Sequence, residues 1–263
     1  MAWFRSGIIL FLIILITALV FMSKGEIDIS HYLEGPSKSH IFGFDYLGRD
    51  LFSRSCYGLV VSLSISALSC LFSLVIAFTS LVISRREGPV RSIVTAVMKA
   101  VRTVPAVLFA LFLLSFDGNA VLKLVSVLSF SGGCSLFLLL EPLIGAVESQ
   151  EYIIAERSLG ISEMKIFIRH IVPAMKGVIL EHLSSSFITS VLTESSLSFL
   201  SLGLDPSIPT LGRILSEGRS VAITHPHAVL LPALLLFLSG LSVLLMQRGL
   251  SELDSPLHRA HQC

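Results

Sequence analysis

The chain has 263 residues, a mean hydropathy of +0.85 and 14% charged residues, against roughly 25% in soluble domains. So much apolar sequence excludes an ordinary water-soluble fold, which would leave large apolar patches exposed. The formal net charge of +1 and the scattered basic residues leave no patch for nucleic acid.

A spanning helix needs roughly 20 mostly apolar residues, and six segments qualify as spans. The first, about 4–22, has Arg5 before its apolar run Gly7–Met22 and is read as uncleaved, because no clear small-x-small cleavage site follows it. The second, about 58–83, ends at Arg85 and Arg86. The third, about 97–116, carries Lys99 and Arg102 in its first turns, where long side chains can snorkel, and Pro105 predicts a kink. The fourth covers about 120–141, the fifth about 178–202 and the sixth about 227–246. None shows the period-2 alternation of a membrane barrel, so the fold class is an all-α integral membrane protein with about six transmembrane helices.

Basic residues set orientation. With the N-terminus inside, twelve Lys and Arg lie on inner segments and seven on outer ones. Both termini and the loop 142–177 are therefore expected to be cytoplasmic. The domains expected are 1–57, the first helix and an external segment; 58–256, the membrane core with the loop 142–177; and 257–263, a cytoplasmic tail.

Catalytic and metal-binding patterns do not stand out. There is no P-loop, no Ser-His-Asp arrangement and no Gly-x-Ser-x-Gly elbow, so the chain reads as no enzyme. Cys56, Cys70, Cys134 and Cys263 lack zinc-like spacing. His225, His227, His258, His261 and Cys263 have no fixed tetrahedral spacing either, so no metal site is assigned.

The external segment holds Asp45, Gly48, Arg49 and Asp50, which read as a turn followed by an N-cap at Asp50. A contact with a gating element or a binding protein is the functional alternative. Glu194 falls midway along the fifth span. A charge there costs about 2.5–3.5 kcal/mol and faces the bundle interior or a wet cavity, so it either lines a path or holds helices together. Glu181 and His182, one turn inside that span, are expected at the cytoplasmic interface.

The loop Glu151-Tyr-Ile-Ile-Ala-Glu-Arg-Ser-Leu-Gly160 continues as Ile-Ser-Glu-Met-Lys-Ile-Phe-Ile-Arg-His-Ile-Val-Pro173. It reads as helix, turn, helix: Gly160 at a left-handed C′ position, Ser162 as the next N-cap and Pro173 as the stop. A short helix with Ile153, Ile154, Ala155 and Leu159 suits either docking into a partner's groove or lying on lipid.

This loop resembles the coupling motif of ABC-importer permeases, and most closely the version in the peptide and nickel importer family. Glu151, Tyr152, Ala155, Arg157, Leu159, Gly160, His170, Ile171 and Pro173 match, while Ile154 and Glu156 depart from it. The stretch His40–Gly58 is similar to the same family's Gly-Thr-Asp-x-x-Gly-Arg-Asp segment, with Phe44 in place of Thr. Glu194–Gly203, Gly212, Glu217-Gly-Arg219 and Gly249–Asp254 follow in the family's order. Before the loop the family carries two arginines, where Leu138 and Glu141 stand here.

The resemblance implies a type I permease-like fold with a cytoplasmic coupling helix between the fourth and fifth spans, in a bacterial inner membrane. Its ATPase-coupling residues would be Glu151, Tyr152, Ala155, Glu156, Leu159, Gly160, His170 and Pro173. It implies a heterodimer with a second permease subunit, two cytoplasmic ATPase subunits and an external solute-binding protein. ATP and magnesium would belong to the ATPases, leaving no cofactor in this chain. Di- and oligopeptides are the solutes implied, with nickel the alternative. The rival class is a stand-alone secondary transporter or channel, which needs a broken-helix ion site or an inverted repeat.

Overall fold

The computed structural model of the chain describes residues 2–23, 25–85, 88–202, 204–205 and 207–254. Among these the secondary structure is helical, and the one strand-like feature is an isolated antiparallel bridge between Phe44 and Asp50.

The first long helix, α1, is Ala2–Phe21. Ile9, Ile13, Ile16 and Val20 stay exposed on it, as a helix facing lipid requires. A turn-rich segment leads to α2, Leu51–Ser84, which Asp50 caps by accepting a hydrogen bond from the Ser53 N–H at 2.8 Å. The expected third span is broken. Pro89–Thr103 (α3) and Ala106–Leu114 (α4) meet at 86° across Val104 and Pro105. Proline offers no N–H and pushes the residue before it out of the helical region; Val104 has φ −81° and ψ 122°.

Asn119 caps α5, Ala120–Glu148, by accepting from the Leu122 N–H. This helix runs through Pro142, so the first residues of the expected loop 142–177 belong to it. Then come α6, Glu151–Ser158, and α7, Glu163–Ile166, which passes through a π-helical turn at Phe167–Ile171 into α8, Val172–Ala174. The fifth expected span is α9, Lys176–Phe199. The short α10, Leu211–Gly218, precedes α11, His227–Asp254.

By length and composition α1, α2, α5 and α11 can each cross a membrane, and the α3–α4 pair makes a fifth if its two halves form one span. Six spans were expected. The remaining candidate, α9, has 24 residues, long enough at 1.5 Å per residue, but Lys176, Glu181, His182, Glu194 and its many serines make it less apolar.

In the bundle, α2 packs against α5, α1 lies along α11, and α9 touches α2, α10 and α11. The core falls into patches along it. One joins Leu81 of α2, Phe137, Leu140 and Ile144 of α5, and Met98 of α3 to Ile153, Ile166, Phe167 and Ile171 of the loop. Burying such a side chain fully stabilises by about 1.5–3 kcal/mol. The loop is thus packed onto the ends of α2 and α5 rather than hanging free.

Candidate coupling loop and a second ion network

Ile153 of α6 is fully buried in that patch, while Tyr152 is 50% exposed, Ile154 52% and Leu159 79%. One face holds the helix down and the other presents apolar side chains outward. Glu151, Ala155 and Gly160 are also exposed. Gly160 has φ +79°, the left-handed conformation expected of a C′ residue, and its N–H donates to the Arg157 carbonyl at 3.0 Å. Ser162 occupies the N-cap position of α7 without a side-chain capping bond. Pro173 lies at the start of α8, and the helical run ends at Met175.

Charges tie the loop to the bundle. Arg85, at the end of α2, reaches Glu148 of α5 at 2.8 Å and Glu163 of α7 at 2.6 Å. Arg157 of α6 hydrogen-bonds both Glu163 oxygens, at 2.8 and 3.0 Å, and lies 3.3 Å from Glu148. The bonded Arg157, helped by Arg85, holds the Glu163 carboxyl below the usual carboxylate range. These groups line a cleft of about 540 Å³ between α2, α5 and the loop. The Arg85 guanidinium also lies 5.3 Å from the centre of the Phe167 ring. Two motif positions meet here: His170 Nε2 lies 2.9 Å from Glu156 Oε1, outside hydrogen-bond alignment, and the Tyr152 ring is 5.9 Å from the His170 ring.

At the opposite end of α2 the residues around Asp45 form a second network. Asp45 Oδ1 accepts from the N–H groups of Leu47 and Arg49, closing a turn in which Gly48 has φ +68°. Asp45 Oδ2 takes Arg49 Nε at 2.8 Å and Arg54 Nη1 at 2.9 Å. Arg54, 2% exposed, also meets Glu217 of α10 at 2.5 Å. Glu217 in turn receives Arg213 Nε at 3.2 Å. Asp45 and Arg49 are therefore built into a buried network, while Asp50 caps α2 and lies 2.8 Å from His40. The role of Arg54 was not legible in sequence, because its partner Glu217 lies more than 160 residues away.

Glu194 is fully buried. Its oxygens accept from Ser198 Oγ at 2.8 Å and Ser195 Oγ at 3.3 Å, both on its own helix. Among the described residues, the bonds to Glu194 come from within α9 rather than from another helix. His182 lines a cavity together with Arg102. The tail with His258, His261 and Cys263, and also Arg86 and Gly203, lie outside the described residues.

Residues 69–252, most of the chain, match the model of the binding-protein-dependent transport system inner membrane component family. The chain belongs to this family. It is an inner-membrane permease subunit of an ABC importer. A glutathione transport system permease protein of Pectobacterium atrosepticum is 30% identical over 235 residues, covering 89% of this chain and 78% of that protein. The permease of the same name from Escherichia coli is 29% identical over 255 residues, covering 94% and 84%.

Solved structures share the fold. One describes inward-facing conformations of a methionine ABC transporter, with TM-score 0.55 and 16% identity, covering 73% of this permease and 94% of that chain. Another is an amino acid ABC transporter with histidines, with TM-score 0.56 and 17% identity, covering 79% and 94%.

Proposed function

We propose that this permease carries a small peptide across the inner membrane and couples that movement to ATP hydrolysis in a separate subunit. Its partners are a second permease subunit, two cytoplasmic ATPase subunits and an external solute-binding protein. Both termini and the α6–α8 loop lie on the cytoplasmic side.

The observation that carries the reading is the two-faced α6. Ile153 fixes it to the ends of α2 and α5, while Tyr152, Ile154 and Leu159 face out. Exposed apolar side chains on a short rigid helix suit a hydrophobic groove on a partner. Force applied there reaches the bundle through the Arg85, Glu148, Arg157 and Glu163 ion pairs. The relatives described as glutathione permeases support a peptide-like solute, since glutathione is itself a small peptide.

The test is uptake of labelled di- and tripeptides into proteoliposomes holding the permease pair, the ATPases and the binding protein. ATP-dependent accumulation supports the reading. Accumulation driven by an ion gradient without ATP overturns it in favour of a stand-alone transporter.

A further inference from the structure

A cavity of about 180 Å³ lies among α2, α3, α4, α5 and α9, walled by seven serines, two threonines, Arg102 and His182. It falls at the middle of the spans: Ser69 is near the midpoint of α2, and Ser131 and Ser186 are well inside α5 and α9. A polar cavity at that depth needs a polar occupant, because lipid chains cannot satisfy it.

Its chemistry is one-sided. Arg102, the last residue but one of α3, lies just before the Val104–Pro105 break; it is exposed and lines the cavity. Among the described residues, no acidic side chain lines the cavity and none pairs with Arg102. His182 Nε2 is buried and has no hydrogen-bond partner among the described residues. Ser69 and Ser73 are tied back to their own helix, to the Ile65 and Cys70 carbonyls. The hydroxyls of Ser131, Ser135, Ser186 and Thr193 have no such bond among the described residues.

A permanent cation with spare donors and no counter-charge selects an oxyanion, and the planar guanidinium fits a carboxylate with two parallel bonds.

We propose that this cavity is a binding station for the terminal carboxylate of the transported solute, with Arg102 supplying the charge and His182 and the free hydroxyls the neutral hydrogen bonds. The proposal rests on the importer reading. It also disfavours a bare metal cation as cargo, which Arg102 would repel.

Cys70 lines the same wall and reports on the site. The assembled importer is prepared with Cys56, Cys134 and Cys263 replaced by alanine. Anionic and cationic methanethiosulfonates of similar size are then compared at Cys70, each rate normalised to that with a small free thiol. The anionic reagent should react several-fold faster. Arg102→Gln should abolish that preference, and Arg102→Lys should keep most of it. A dipeptide with a free C-terminus should slow the reaction, and its C-terminal amide should not.

Equal normalised rates, a preference unchanged in Arg102→Gln, equal protection by both peptides, or no reaction of Cys70 in the assembled importer would each overturn the site. The last result would mean that the second permease fills the cavity. ATP-driven peptide uptake without charge preference removes the station and keeps the importer reading. Charge preference without peptide uptake removes the peptide reading and keeps the anion site.

Discussion

Arg91 Nη2 of α3 lies 2.6 Å from Glu141 Oε1 of α5. Glu141 stands at a position where the resembling family carries arginine, so the reversed charge on α5 comes with a counter-charge on α3. Arg91 is 63% exposed, and exposed pairs contribute roughly 0–1 kcal/mol. Glu141→Arg alone should therefore lower thermal stability slightly through repulsion from Arg91. The swap Arg91→Glu with Glu141→Arg should recover it. A double-mutant cycle on the purified importer checks this, and a swap no better than the single change would show that the pair is incidental.

The Asp45, Arg54 and Glu217 network should matter far more. Removing one partner of a buried ion pair costs about 3–5 kcal/mol, because the other charge stays buried. In Arg54→Ala the lower end is expected, since Arg49 still reaches Asp45 and Arg213 still reaches Glu217. The segment before α2 should separate from α10, which limited proteolysis between residues 25 and 50 would detect. Unchanged melting and proteolysis would mean that the network is not holding these elements together.

Glu163 gives the α6–α8 loop a pH dependence whose sign follows from its lowered pKa. Its folded pKa is lowered, first by the Arg157 hydrogen bond and then by Arg85. The stability it contributes is therefore present above the ordinary glutamate pKa and is lost as pH falls through the lowered value. Amide exchange in the Arg157–Ser162 turn, corrected for intrinsic rate, should rise as the pH drops below the usual carboxylate range. Glu163→Gln should exchange faster at neutral pH and lose most of that dependence. An unaltered pH profile in the variant would place the dependence elsewhere.

Glu194 is predicted to be structural. With its carboxylate enclosed and bonded to Ser195 and Ser198, Glu194→Ala should destabilise the complex by about 1–3 kcal/mol, the usual cost of stranding buried polar groups. Transport should fall in proportion, and Glu194→Gln, which keeps one acceptor, should be milder. Lost transport with full stability would instead make Glu194 a pathway residue.

Features set by local chemistry were legible in the sequence. The break at Pro105, the cap at Asp50 and the left-handed turn at Gly160 each follow from the conformational limits of one residue and its neighbours. The long apolar runs of α1, α2, α5 and α11 were equally plain. Pairings across the chain were not. Nothing near Arg54 announces Glu217, and nothing near Arg102 announces His182, because only helix packing brings them together. The fourth span is expected to end at Glu141 and the loop to begin at Pro142, whereas α5 continues to Glu148. Within a packed bundle the helix tolerates proline, and Arg91 pairs with the glutamate.

The most direct test of the coupling claim is Gly160→Val in the reconstituted importer. Gly160 has φ +79° and open space where a Cβ would stand, so the penalty is backbone strain alone. A left-handed conformation costs an ordinary residue about 1–2 kcal/mol, and a β-branched one is strained further. The turn should give way and re-aim α6, while the apolar spans still insert and the complex still assembles. The account predicts that peptide uptake collapses and that ATP hydrolysis no longer depends on the loaded binding protein, with Gly160→Asn milder. Normal uptake with full coupling in Gly160→Val would contradict it, because α6 could then not be the joint through which the ATPase drives the permease.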